Sequence, residues 1–256
     1  MKIPRSAVDD NGVGTATPFL TTGVTLPKTR RGNGEMMHLL HTAYEPAGEG
    51  PHPTIVALHG WGANAMDLLG LAPYLAGGRF LVLCPQGATE VPLGPMTGYG
   101  WFPISMGGPP DPATFAAGVD HARLFLNAAL QRYPVATDRL VILGFSQGGV
   151  IASALALAEP ERFAALVTLS SWLPAPLAEH LTVAPRDRLP TLVHHGTGDE
   201  MIEIARGRES VEALRRLGVP VTYREFDMGH EINAESVRHL SDWLEDKVLS
   251  PILVVR

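Results

Sequence analysis

From about residue 54 onward, short continuous apolar runs alternate with longer segments whose apolar residues recur every three or four positions. The runs are Thr54–His59, Phe80–Cys84, Leu140–Leu143, Leu166–Leu169, Thr191–His194 and Val221–Phe226. Successive side chains of a strand point to opposite faces, so most of these runs read as strands buried on both sides. Strands alternating with helix-period segments predict an α/β protein with a mostly parallel central sheet and helices on both faces.

The intervening segments carry recognisable ends. Asn64 and Asp67 resemble a capping box, predicting a helix that stops before Gly77-Gly78. Asp111-Pro112 reads as a cap and first position; Phe115, Val119, Ala122, Leu126, Leu130 and Tyr133 then line one face up to Pro134. Residues 203–217 form a charged helix with Ile204, Val211, Leu214 and Leu217 inward, closed by Gly218. A last helix from about Ile232 turns Val237, Leu240, Leu244 and Val248 inward. The segment after Gln147 is small or apolar on every side, so its helix is predicted to be buried. Met36–Tyr44 reads as an antiparallel edge strand, and the Gly/Pro-rich stretch 85–110 as a long functional loop. No repeat or linker divides the chain. It reads as one domain over 1–256, with a core at 36–248 and an N-terminal extension at 1–35.

Composition narrows the function classes. The 256 residues are 45% hydrophobic and 18% charged, enough for a core, and 27 Gly with 22 Pro serve turns. A net charge of −6 leaves no overall positive field for nucleic acid. The single cysteine, Cys84, excludes an internal disulfide. No apolar stretch has the length of a secretory signal or membrane span, so a cytoplasmic protein without integral membrane association is expected. A homodimer is compatible with the sequence.

Gly144-Phe145-Ser146-Gln147-Gly148 matches G-x-S-x-G, a sharp strand-to-helix turn that lifts a serine hydroxyl above the sheet. The apolar strand before it and the small-residue helix after it supply the context the pattern requires. A serine needs a base, and the base a group that fixes its tautomer. Asp199 follows the strand at Thr191–His194, and His230 follows the strand at Val221–Phe226, giving the order Ser146, Asp199, His230. Asp227, Glu200 and Glu203 are the competing acids. His194 and His195 point to opposite faces and read as structural rather than as a metal pair. For the oxyanion, Gln147 offers the backbone N–H after the serine. Leu58-His59-Gly60-Trp61-Gly62 offers a second, from Trp61. Trp101, Phe102, Met96 and Met106, with Trp172 and Leu173 beyond another strand, are candidates for an apolar substrate wall. No metal or cofactor is needed.

These motifs, with His195-Gly196-Thr197-Gly198-Asp199 and Met228-Gly229-His230, resemble the carboxylesterase/phospholipase group of α/β-hydrolases over roughly residues 54–248. The resemblance implies Ser146, Asp199 and His230 as a triad and the amides of Trp61 and Gln147 as an oxyanion hole. Trp61 stands where the family often has leucine, and Tyr99–Pro103 resembles the bacterial branch more than the acyl-protein thioesterases. The reading is a serine hydrolase acting on small-molecule carboxylic esters of small to medium acyl chains. Thioester hydrolysis is the alternative reaction, and a catalytically silent hydrolase-fold binding module is the alternative class.

Overall fold

The computed structural model describes residues 19–30, 36–104, 110–175, 177 and 185–250, with side chains from residue 40 onward. Its backbone runs β1 (Phe19–Arg30), β2 (Met36–Glu45), β3 (His52–Leu58), β4 (Leu81–Pro85), β5 (Thr89–Leu93), β6 (Met96–Gly100) and α1 (Pro112–Arg132). There follow β7 (Val135–Phe145), α2 (Gln147–Ala158), β8 (Ala165–Leu169), β9 (Thr191–Gly196), α3 (Ile204–Arg216), β10 (Val221–Phe226) and α4 (Ala234–Leu244).

Eight strands form one sheet in the order β1-β2-β4-β3-β7-β8-β9-β10. The pairs from β4 to β10 are parallel, while β1-β2 and β2-β4 are antiparallel. The parallel strands alternate between two cores as their continuous apolar runs require. On β7, Leu140 and Ile142 join the core against α1, α2 and α3, while Val141 and Leu143 join the core against α4. α2 is buried at every residue from Gln147 to Leu157, which explains its lack of a polar face. α1 begins as read: the Asp111 carboxylate accepts the Thr114 N–H at 2.9 Å with Pro112 in the first turn.

Four expectations change. Residues 19–30 are a strand that covers β2, so β2 is not the sheet edge. Between Asn64 and Gly78 the chain forms only two short 3-10 turns, Leu69–Tyr74 and Ala76–Gly78. Pro73 lacks the N–H that a continuing helix would bond, and Ala76 and Gly77 adopt positive φ. Asn64 does cap locally, its side-chain oxygen accepting the Met66 N–H at 2.8 Å. The segment expected as a long loop contains the β5-β6 hairpin. Finally, Trp101 and Phe102 are each only 2% exposed and belong to the α1–α2 core rather than to an open substrate wall. Met106 lies outside the described residues.

The strand order reverses direction between β3 and β7. In open α/β sheets, loops at the carboxyl ends of strands flanking such a reversal diverge and leave a crevice for ligands. The candidate chemistry lies on the loops after β3, β7, β9 and β10.

Candidate active site

Ser146 sits at the tip of the β7-to-α2 turn with φ 51° and ψ −122°, a conformation that costs a non-glycine residue about 1–3 kcal/mol. Three hydrogen bonds hold it there. Its N–H donates to the Leu169 carbonyl at 2.9 Å, and its own carbonyl accepts the Gly149 N–H at 2.9 Å and the Ser171 hydroxyl at 2.8 Å. The turn closes only because its flanks lack side chains: a Cβ on Gly144 would lie 2.3 Å from the Gly148 carbonyl carbon, and one on Gly148 would lie 2.1 Å from the Leu58 carbonyl oxygen. The Gly60 Cα approaches so closely that a Cβ there would sit 3.3 Å from the Ser146 Cβ. The loop after β3 is thereby brought against the serine.

That loop is pinned from beneath. The His59 Nδ1–H donates to the Gly60 carbonyl at 2.7 Å, and its Nε2 accepts the Gly87 N–H at 3.0 Å. Burial lowers the His59 pKa to about 4, so the ring stays neutral and keeps one tautomer at neutral pH. Trp101 donates its indole N–H to the His59 carbonyl at 2.8 Å. The Gln147 side chain spans the same segment: its Oε1 accepts the Trp101 N–H at 2.8 Å, and its Nε2 donates to the Phe102 carbonyl at 2.7 Å. Trp101 and Phe102 therefore tie the loop after β3 to the first residue of α2. Gln147 opens that helix, where backbone N–H groups have no partner within the helix and attract negative charge. The β5-β6 hairpin adds a further tie, with the Gly62 N–H on the Tyr99 carbonyl at 2.9 Å and the Tyr99 N–H on the Ala63 carbonyl at 2.7 Å. The Trp61 ring lies against Gly100, where a Cβ would come within 2.3 Å of it.

Asp199 and His230 meet although 31 residues separate them, because β9 and β10 are parallel neighbours whose following loops interlock. The Thr197 N–H donates to the Phe226 carbonyl at 2.8 Å and the Gly198 N–H to the Met228 carbonyl at 3.1 Å. The Asp199 side chain is fully buried. Its Oδ1 accepts the N–H groups of Met201 at 3.0 Å and Ile202 at 2.8 Å, and its Oδ2 accepts the His230 Nδ1–H at 2.8 Å. A carboxylate can only accept, so Nδ1 carries the imidazole's proton and Nε2 keeps a lone pair. The His230 ring packs on Phe145, the residue before Ser146, with centroids 4.9 Å apart. Capping the turn before α3 and holding an imidazole are thus two uses of one carboxylate. The competing acids Asp227, Glu200 and Glu203 are all exposed.

Trp172 and Leu173 follow Ser171 and line a cavity of about 550 Å³ with Pro174, Arg206, Glu209 and Leu217. The Arg206 guanidinium stands 5.5 Å from the centre of the Trp172 ring. Among the described residues no cluster of three His, Cys, Asp or Glu side chains could hold a metal ion, and no helix is long and apolar enough to cross a membrane.

On the other face of β9, His194 bonds the Ser236 hydroxyl and the His239 Nδ1, both at 2.9 Å. Burial first, then the charges of His239 and Arg224, lowers its pKa to about 3. His59 and His194 therefore make the fold acid-sensitive. In the unfolded chain both take up a proton below their ordinary 6.5, while in the fold they stay neutral down to about 4 and about 3. The unfolded state then binds more protons, and stability falls as pH drops from 6.5 towards 4 by up to ~1.4 kcal/mol per pH unit for each imidazole. The urea midpoint should drop clearly between pH 7 and pH 5, and His194→Gln should flatten that dependence.

Comparison with known proteins identifies the family and the fold. The sequence model of the Phospholipase/Carboxylesterase family matches residues 41–248. A probable carboxylesterase, SOBER1-like, of Arabidopsis thaliana is 24% identical over 158 residues, 59% of this chain. The match spans 60% of that relative's length. An acyl-protein thioesterase 1 of Gibberella zeae is 28% identical over 202 residues, covering 74% of this chain and 85% of that protein. The crystal structure of a carboxylesterase from Mesorhizobium loti shares the fold with a TM-score of 0.70 at 22% identity, over 80% of this chain and 94% of that one.

Proposed function

The chain belongs to the phospholipase/carboxylesterase family of α/β-hydrolases, and from that premise we propose that it hydrolyses carboxylic esters through an acyl-serine intermediate. The observation that carries the reading is the 2.8 Å bond from the His230 Nδ1–H to the buried Asp199 carboxylate, formed beside the strained turn of Ser146. That bond leaves the His230 Nε2 as the base. It takes the Ser146 proton as Oγ attacks the ester carbonyl, then returns it to the departing alcohol; water repeats the sequence on the acyl-serine. As the imidazole becomes positively charged, Asp199 stabilises it. The negative charge on the carbonyl oxygen falls to the backbone N–H groups of Gln147 and Trp61, fixed in place by the Gln147–Trp101–His59 ties. No metal or organic cofactor takes part, and the substrate is a small molecule.

Trp172 and Leu173 are the acyl-side wall in this reading: Ser171, which precedes them, bonds the Ser146 backbone carbonyl, and the cavity they line extends towards α3 rather than including Ser146, Asp199 or His230. Esters of small to medium acyl chains are the proposed substrates. Hydrolysis of p-nitrophenyl esters of graded acyl length tests this, with a maximum expected at short to medium chains. Failure to turn over any ester, together with failure of a fluorophosphonate to label Ser146 in folded protein, would establish a silent binding module instead. Thioesters are the second reading, favoured by the 85% coverage of the fungal acyl-protein thioesterase. Specificity constants for matched oxygen and sulfur esters separate the two.

A further inference from the structure

We propose that His195, a buried residue of β9, is a positioning residue for the Asp199–His230 pair, locking the turn at residues 199–202; the inference rests on the hydrolase reading above.

Ile202 is the link. Its N–H donates to the Asp199 Oδ1 at 2.8 Å, and its carbonyl accepts the His195 Nε2–H at 2.7 Å. A carbonyl only accepts, so the proton of the neutral ring sits on Nε2. The same Nε2 lies 3.5 Å from the Asp199 Oδ2, the oxygen that holds His230. One imidazole thus bonds the far end of the turn and faces the carboxylate that the turn carries. With Oδ1 bonded to the N–H groups of Met201 and Ile202, the carboxylate can rotate only by breaking those bonds, and His195 anchors the Ile202 end.

The other ring nitrogen shows what this arrangement costs. Nδ1 is buried and hydrogen-bonds to no described residue. Leaving a polar group in that state is destabilising, a cost that an apolar side chain of similar size would avoid. An imidazole used only as filler would be a poor choice here, whereas one needed for its Nε2–H is not. The neighbouring helix is shaped to the ring: α3 passes with Gly207 against it, where a Cβ would lie 2.5 Å from Nδ1. His195 is therefore held between the turn on one side and α3 on the other.

The test compares His195→Leu, which keeps bulk and removes the donor, with His195→Gln, whose amide nitrogen can replace Nε2. Two readouts are used. In kinetics on p-nitrophenyl acetate, a folded Leu variant should lose kcat by about tenfold or more with KM nearly unchanged, since small misplacements of a reacting group cost up to ~100-fold. The Gln variant should recover most of the loss. In proton NMR of the resting enzyme, the far-downfield His230 Nδ1–H resonance, assigned with His230→Gln, should persist in the Gln variant and broaden or vanish in the Leu variant. A folded Leu variant with wild-type kcat and an intact resonance overturns the proposal. If His195→Leu does not fold, His195→Asn, whose amide is too short to reach the Ile202 carbonyl, is read by the same criteria. If wild-type protein hydrolyses no ester but the resonance follows this pattern, the hydrolase reading fails while the locking of the pair by His195 stands.

Discussion

Ser146→Ala is expected to lower kcat on a short p-nitrophenyl ester by ~10⁴-fold or more while the protein stays folded. The fold should survive because the bonds holding the turn run through the Ser146 backbone N–H and carbonyl, and alanine at φ 51° carries a Cβ no larger than that of serine. The chemistry should not survive. The lone cysteine cannot substitute, since Cys84 is buried in β4 with its thiol pushed up to about 12, chiefly by desolvation. What remains is binding and the two proposed backbone donors, which would still polarise a bound ester towards attack by water. The check is kcat alongside a thermal melt, with mass spectrometry for an acyl adduct on wild-type protein alone. An alanine variant with a wild-type melt and more than about 1% of wild-type turnover would remove Ser146 from the mechanism.

Sequence pattern reached furthest where one physical requirement dominated. Ile142 and Val141 must face opposite cores, so β7 reads as a doubly buried strand; the glycines at 144 and 148 exist because a Cβ has no room. The pairing of Asp199 with His230 was legible for a related reason, as each follows a buried run and parallel strands deliver their ends to one edge. Other features depend on contacts that local pattern does not encode. The strand at 19–30 has few large apolar residues, and its place at the sheet edge is set by pairing with β2. The Asn64 cap was real, but Pro73 and the positive φ at Ala76 and Gly77 outweighed the apolar spacing beyond it. Trp101 and Phe102 are candidates for a substrate wall by sequence and core residues in the structure. An aromatic pair in a Gly-rich loop suits an open wall as well as a buried anchor, and what decides is the Gln147 amide, which bonds the backbone of both. His194 and His195 read as structural because adjacent strand residues face opposite sides, and the bond of His195 to the Ile202 carbonyl is a contact that this pattern does not encode.

Asp199→Asn should also cost ~10⁴-fold in kcat, and the hydrogen bonds of the turn specify how. The Oδ1 position receives two N–H donors, from Met201 and Ile202, so an asparagine must place its oxygen there. Its NH₂ group then occupies the site of Oδ2 and points a donor at the His230 Nδ1. Two donors cannot face one another, so the imidazole must surrender its Nδ1 proton and carry it on Nε2, the atom that has to accept the serine proton. The variant keeps its capped turn and its fold but holds the base in the wrong tautomer. Asp227→Asn is the matching control: that side chain is exposed, three residues from His230, and its loss should change kcat by less than about twofold. If the two variants behave in the opposite sense, Asp227 is the partner of the base. If Asp199→Asn loses activity but also unfolds, comparison with Asp199→Ala separates the two effects, because only the alanine removes the acceptor that caps the turn. The asparagine should then be the better folded of the pair and no more active.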